Sequence, residues 1–266
     1  MMTDALEEIL SHRRAAVTDA MERVSMSEME RRAAGMPAPR DFLGALVQPG
    51  SIRLIAEMKK KSPSAGLIRE QYDPGTIAAA YERGGAAAIS VLTEPERFGG
   101  ALVDIARAKT VCRLPALRKD FIFDPYQIAE SRALEADAVL LIAEMLSPDQ
   151  LNSLTACARQ FGLEPLVEIF SAEALERALR SDARLIGINT RNLRTLEMRP
   201  DNVVTLAPRI PADRFVVAES GIKTPADVDR LRALPVFAML VGESLLKQPD
   251  LEKATHALVS AGEGTD

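Results

Sequence analysis

The sequence predicts an α/β fold, a closed (β/α)8 TIM barrel with an N-terminal helical extension. Three observations carry that expectation. The chain has 266 residues, 47% of them hydrophobic and 27% charged, which suits a barrel of roughly 250 residues with little left over. Eight short apolar or β-branched runs begin near Ile52, Ala86, Leu114, Ala136, Glu164, Arg184, Arg214 and Val236, with room for one amphipathic helix after each. Four helix starts, Asp73-Pro74, Asp124-Pro125, Ser147-Pro148 and Thr224-Pro225, put a capping side chain before a proline at the first helical position.

Leu6, Ile9, Leu10, Val17, Met21 and Val24 fall at helical spacing with charges between them, which predicts an amphipathic first helix. Ser27 and Glu30 form a capping-box pattern that starts a second helix. Pro37 and Pro39 break it, and Asp41 opens a short apolar turn through Phe42, Leu43 and Leu46. Residues 1–50 thus precede the first strand as an extension. From there the strands are apolar on both faces, as a buried parallel sheet requires. No Gly/Ser-rich linker interrupts the alternation, so one domain over 1–266 is expected.

Composition narrows the chemistry. A net charge of -5 gives no positive field to attract nucleic acid or an anionic membrane. No run approaches the roughly 18 apolar residues of a membrane span. The acidic MMTDALEEIL start carries no apolar signal segment. The expectation is therefore a cytoplasmic protein without nucleic-acid or membrane partners. A monomer is the default, with no residue-level signal behind it. Cys112 and Cys157 lack zinc-type spacing and read as buried thiols. The only histidines, His12 and His256, lie in helical patterns near the chain ends, so His-based triads and His-rich metal sites drop out. Acid-base work falls to Lys, Glu and Asp.

Polar residues at strand ends mark the used face of a barrel. Along Ile55-Ala56-Glu57-Met58-Lys59-Lys60-Lys61, period-2 alternation puts Glu57, Lys59 and Lys61 on one side, although a solvated charged loop fits the same segment. Lys119 ends an apolar strand just before Phe121. Desolvation and neighbouring cations there would lower its pKa into a useful range; an ordinary surface lysine is the plainer reading. Glu168 lies within Pro165-Leu166-Val167-Glu168-Ile169-Phe170, where burial would raise its pKa toward that of a general base, unless it serves only a structural ion pair. Asn189, Arg191, Glu219 and Ser220 end the next two strands and face the same mouth. Gly221 and Gly242 follow strands seven and eight, where backbone N–H groups can meet an anion or simply make tight turns.

Taken together, Glu57-Met58-Lys59-Lys60-Lys61-Ser62-Pro63-Ser64, Arg118-Lys119-Asp120-Phe121, Pro165-Leu166-Val167-Glu168, Asn189-Thr190-Arg191-Asn192, Ala218-Glu219-Ser220-Gly221 and Leu240-Val241-Gly242-Glu243-Ser244 resemble the indole-3-glycerol-phosphate synthase family over nearly the whole chain. The resemblance implies the substrate 1-(2-carboxyphenylamino)-1-deoxyribulose 5-phosphate, a small phosphorylated molecule, closed to indole-3-glycerol phosphate with loss of CO2 and water and with no cofactor or metal. It implies Lys119 as general acid and Glu168 as base. Lys59 would hold the anthranilate carboxylate, with Glu57 positioning and relaying protons. Asn189, Glu219 and Ser220 would join the catalytic shell. Arg191, Phe98, Phe121, Leu140, Ser62 and Leu240 would contact substrate, and Lys61, Gly221, Gly242 and Glu243 the phosphate.

Two departures from the pattern are Ala65, where relatives often carry a basic residue, and the Leu234-Pro235-Val236-Phe237 approach to the last strand. A Schiff-base aldolase and a non-catalytic phosphate-binding barrel remain as alternatives, the first distinguished by borohydride trapping and the second by binding without turnover.

Overall fold

A computed structural model describes residues 5–63 and 65–263; Ser64 of the Ser62-Pro63-Ser64 segment lies outside them. Three helices open the chain, Ala5–Arg23 (α1), Met26–Ala34 (α2) and Phe42–Leu46 (α3). Strand Arg53–Met58 (β1) runs into a short hairpin, Lys61–Ser62 (β2) and Gly66–Leu67 (β3), and then helix Pro74–Arg83 (α4). Strand and helix alternate thereafter: Ala88–Leu92 (β4), Val103–Lys109 (α5), Ala116–Lys119 (β5), Pro125–Ala133 (α6), Ala138–Ile142 (β6), Pro148–Gln160 (α7), Glu164–Ile169 (β7), Ala172–Arg180 (α8) and Leu185–Asn189 (β8). The chain ends with Asn202–Leu206 (α9), Phe215–Glu219 (β9), Pro225–Leu231 (α10), Val236–Val241 (β10), Glu243–Leu246 (α11) and Leu251–Glu263 (α12).

Eight strands, all but the hairpin pair, close into one parallel barrel in the order β1-β10-β9-β8-β7-β6-β5-β4. Each barrel strand begins within two residues of its sequence-expected start. The four expected helix starts are also where helices begin. Asp73 accepts from the Thr76 N–H, Asp124 from Tyr126 and Ser147 from Gln150. At the fourth the roles reverse: Asp227 accepts from the Thr224 N–H and hydroxyl.

Alternation along the strands sorts side chains into two layers. Outward residues such as Leu54, Ile89, Val139, Val167, Ile186 and Met239 form the core under the helices. Inward residues Ile55, Leu117, Leu140, Leu166, Leu185, Val217 and Leu240 fill the barrel. Two residues further along several strands the inward position turns polar, which is how the sequence builds its site: Ile55 gives way to Glu57, Leu117 to Lys119, Leu166 to Glu168 and Val217 to Glu219.

The extension closes the amino end of the barrel. Phe42 and Leu46 are fully buried against the interior layer. The Arg40 guanidinium donates to the Cys112 and Leu114 carbonyls, and its N–H to Asp137. Asp137 also accepts from the Ala116 N–H and from the Lys109 ammonium. One expectation here is corrected: α2 is capped by Ser25, whose hydroxyl accepts from the Glu28 N–H, and not by Ser27. Ser25 holds the extended backbone that precedes a helix, whereas Ser27 is already inside the first turn; Glu28 pairs instead with Arg31 and Arg32. Cys112 is buried and Cys157 half-buried. No helix among the described residues is long and apolar enough to cross a membrane.

Candidate active site

A cavity of about 970 Å3 opens at the carboxyl ends of the barrel strands. Its walls include Glu57, Lys59, Lys119, Glu168, Asn189, Arg191, Glu219 and Ser220, together with Ser62, Phe98, Phe121, Leu140, Leu240, Gly221, Gly242 and Glu243. Sixteen of the seventeen site residues expected from the sequence therefore meet in one space. Lys61 stands apart. The barrel strand ends at Met58, and the chain turns into the β2-β3 hairpin, where the Lys60 carbonyl accepts from the Ile68 N–H. The alternation expected to align Lys61 with Glu57 and Lys59 stops there, and the Lys61 ammonium instead donates to the Glu96 carbonyl at 2.7 Å.

Two buried carboxylates and a partly buried lysine form the centre. Lys119 Nζ donates to Glu168 Oε2 at 2.7 Å and lies 3.2 Å from Glu219 Oε2. The pKa directions here revise two expectations. Burial works against the Lys119 charge, but Glu168, Glu219 and Glu57 outweigh it and raise the pKa, in place of the expected lowering by desolvation and neighbouring cations. Burial likewise raises Glu168, yet Lys119 and hydrogen bonds from Lys119, Glu219 and Asn189 reverse the sign and hold it below the usual carboxylate range. The displaced proton affinity appears on Glu219. Burial is the main cause, opposed by Lys119 and reinforced by the Glu168 carboxylate, and the result is a pKa of about 8. Two carboxylates sharing one lysine do not both ionise easily.

A second ion pair lies across the mouth, with Lys59 Nζ donating to Glu57 Oε2 at 2.6 Å. Between the two pairs, Asn189 Oδ1 accepts from Ser220 Oγ at 2.8 Å and from the Arg191 N–H at 2.9 Å. Ser220 has a φ of +66°, left-handed for a residue with a side chain, and Gly221 comes next at +80°. Such backbone is uncommon and concentrates at functional sites. On the apolar wall, the rings of Phe98 and Phe121 stand 6.3 Å apart between centroids.

Sequence reasoning passed over several supporting residues. Ile9 of α1 reaches the cavity wall. Arg13 of the same helix donates to Asp120 at 2.9 Å, beside Lys119. Its signal was a charge on the apolar stripe Leu6, Ile9, Leu10, Val17. Glu94, fully buried, accepts from the N–H groups of Glu96, Arg97 and Phe98 and so shapes the loop that presents Phe98. Asn202 bridges the carbonyls of Phe170 and Asn189, tying the ends of β7 and β8 together; nothing local in the sequence distinguishes it.

Comparison with known proteins bears on the chain as a whole. Residues 6–258 match the family model for indole-3-glycerol phosphate synthase. An indole-3-glycerol phosphate synthase of Rhodopirellula baltica is 49% identical over 256 residues, spanning 96% of this chain and 99% of the relative. One from Acidithiobacillus ferrooxidans is 45% identical over 249 residues, spanning 92% and 95%. Among solved structures, 3-hexulose-6-phosphate synthase from Salmonella typhimurium superposes with a TM-score of 0.64 at 12% identity, over 79% of this chain and 98% of that one; a likeness at that identity concerns the fold alone. With the match covering almost every residue and the relatives nearly half identical from end to end, the chain belongs to the indole-3-glycerol phosphate synthase family, carboxy-lyases of tryptophan biosynthesis.

Proposed function

We propose that this chain closes 1-(2-carboxyphenylamino)-1-deoxyribulose 5-phosphate to indole-3-glycerol phosphate, releasing CO2 and water, with Lys119 as general acid and Glu168 as general base. The observation that carries the assignment is the 2.7 Å Lys119–Glu168 contact inside the barrel-mouth cavity. The charge states fit the roles, with Lys119 protonated and Glu168 ionised, while the same ion pair makes the lysine a weaker acid and the carboxylate a weaker base than either is alone.

In the first step Lys119 protonates the ribulose carbonyl oxygen as the carboxyl-bearing ring carbon bonds to the carbonyl carbon. Loss of CO2 then returns the bonding electrons to the ring. A second proton, relayed through Glu57 and Lys59, lets the new hydroxyl leave as water, and Glu168 accepts the proton lost from the carbon next to the nitrogen as the indole forms. Holding both groups against one bound substrate replaces a search for geometry with a fixed arrangement.

Lys59 pairs with the anthranilate carboxylate in place of Glu57, which then relays protons. Asn189, Ser220 and Glu219 hold the sugar hydroxyls and the catalytic lysine, and Arg191 and Ser62 contact the polar parts of the substrate. Phe98, Phe121, Leu140 and Leu240 receive the aromatic ring. Phosphate meets the backbone N–H groups of Gly221, Gly242 and Glu243, and Lys61 joins them only by leaving the Glu96 carbonyl. In this reading the chain is one domain working as a cytoplasmic monomer on a small phosphorylated substrate, without cofactor, metal or nucleic-acid partner. A Schiff-base mechanism would need a neutral lysine, and the carboxylates around Lys119 oppose that.

The test is the appearance of indole fluorescence when purified protein meets the phosphorylated anilino-ribulose without added metal. Turnover is expected; saturable binding with no fluorescence would refute the proposal.

A further inference from the structure

The inner strand β8 reads Leu185-Ile186-Gly187-Ile188-Asn189, with a glycine at its centre. A mid-strand glycine weakens a sheet and commonly marks the close approach of another group. Gly187 is not among the residues with positive φ, so its backbone does not call for glycine. Its place in the alternation is inward, between Leu185 in the apolar barrel layer and Asn189 at the mouth.

The space where a side chain would stand belongs to Glu219 of β9. A Cβ on Gly187 would overlap Glu219 Oε1 outright, and would stand 3.2 Å from the carboxylate carbon and 3.4 Å from Leu166 Cδ1. In the strand register Glu219 pairs with Asn189, and Gly187 with Val217. The Glu219 side chain thus folds back one inward position toward the barrel floor. The two oxygens end in different surroundings. Oε2 faces Lys119, whereas Oε1 is buried and accepts no hydrogen bond among the described residues. Gly242 repeats the arrangement on the other side of the mouth: a Cβ there would overlap Glu57 Oε2 and stand 3.1 Å from Glu57 Cδ.

We propose that Gly187 is a positioning residue for the reaction: by lacking a side chain it seats the Glu219 carboxyl group with Oε2 aimed at Lys119 and Oε1 held dry. The inference rests on the roles proposed for Lys119 and Glu168. A carboxyl oxygen shut off from water and given no donor disfavours the charged form. The groups facing Glu219 are Lys119 from β5 and Glu168 from β7. With Glu219 neutral, Glu168 carries the charge that balances Lys119, and the base is the carboxylate beside the acid. A methyl group at position 187 pushes Glu219 out of its seat and toward solvent, Lys119 or Glu168, disturbing that division.

The test combines Gly187→Ala, Glu219→Ala and the double variant, each followed by melting temperature, kcat, KM and the pH profile of kcat. Gly187→Ala is expected to lower kcat by about 10- to 100-fold, the scale of an ångström-level displacement, with KM little changed, the alkaline limb of the profile moved and the melting temperature reduced. In the Glu219→Ala background, where the seat is vacant, the added methyl costs neither activity nor melting temperature. Equal losses in both backgrounds, or a Gly187→Ala protein with the wild-type kcat and limb, overturn the proposal. Should Gly187→Ala fail to fold alone, a double variant that folds and melts like Glu219→Ala upholds it, and one that also fails to fold overturns it. Absence of turnover in the wild type would remove the proposed function, while the melting comparison would still decide whether Gly187 seats Glu219.

Discussion

Arg13, in the first helix, donates to Asp120, the residue directly after Lys119, at 2.9 Å, and both side chains are buried. Asp120 accepts from Arg118 and from the Thr93 hydroxyl on the same oxygen. Although burial opposes the Asp120 charge, Arg118 and Arg13 hold its pKa down. The N-terminal extension therefore does two things. It closes the amino end of the barrel through Phe42 and Arg40, and it braces strand β5, which carries Lys119, at the other end.

Removing that brace should be felt in stability first. Arg13→Ala leaves Asp120 with Arg118 still in place, so a loss of about 1–3 kcal/mol is expected, less than that of a pair stripped of its sole partner. Denaturant unfolding measures it. Because Ile9 on the same helix lines the cavity, KM should rise as well, with kcat falling less.

At the amino end, Asp137 gathers the Lys109 ammonium and the N–H groups of Ala116 and Arg40. Asp137→Ala removes the acceptor of the Ala116 and Arg40 N–H groups and the counter-charge of the Lys109 ammonium, which keeps the Glu135 carbonyl, a change worth about 3 kcal/mol. The site lies at the opposite end of the strands, so kcat measured well below the melting temperature should stay near wild type. A large kcat loss at intact fold would contradict this separation.

Glu94 organises the loop that carries Phe98. In Glu94→Ala, the N–H groups of Glu96, Arg97 and Phe98 lose their acceptor, and the loop around Phe98 loosens. The expected outcome is a several-fold increase in KM with a smaller effect on kcat, read from steady-state kinetics. A proportionate fall in kcat with KM unchanged would mean that Phe98 does not bind the substrate's ring.

The Glu219 carboxyl, with a pKa of about 8, implies a specific pH dependence. An acid whose folded-state pKa lies above its unfolded value binds an extra proton when folded, between the two values. Stability from this group is therefore greatest at low pH and declines as pH rises toward 8. Glu219→Gln cannot lose a proton, so the stability of wild type relative to the variant should fall steadily from about pH 4.5 to pH 8 and level off beyond. A difference that grows with pH over that range would show that Glu219 is charged when folded.

Much of this was readable in the chain. The strand starts were legible because a buried parallel sheet needs continuous apolar runs, and Asp-Pro, Ser-Pro and Thr-Pro pairs mark four of the helices between them. The inward polar residues were legible because Lys119, Glu168 and Glu219 each interrupt or end such a run. Quantities set by partners far away in sequence were not. The pKa directions of Lys119 and Glu168 depend on their meeting 49 positions apart, and desolvation judged one strand at a time gives the wrong sign. Lys61 was misplaced because alternation was carried past the last residue of β1. Arg13 and Gly187 left faint marks, a charge on an apolar stripe and a glycine between two isoleucines, whose meaning depends on Asp120 and Glu219.

The most direct measurement compares indole formation by wild type and Lys119→Met, with far-UV CD confirming that both are folded. Loss of the general acid predicts a fall in kcat of about 100- to 10,000-fold. A folded Lys119→Met protein that keeps most of its turnover would contradict the assignment of acid and base on which the account rests.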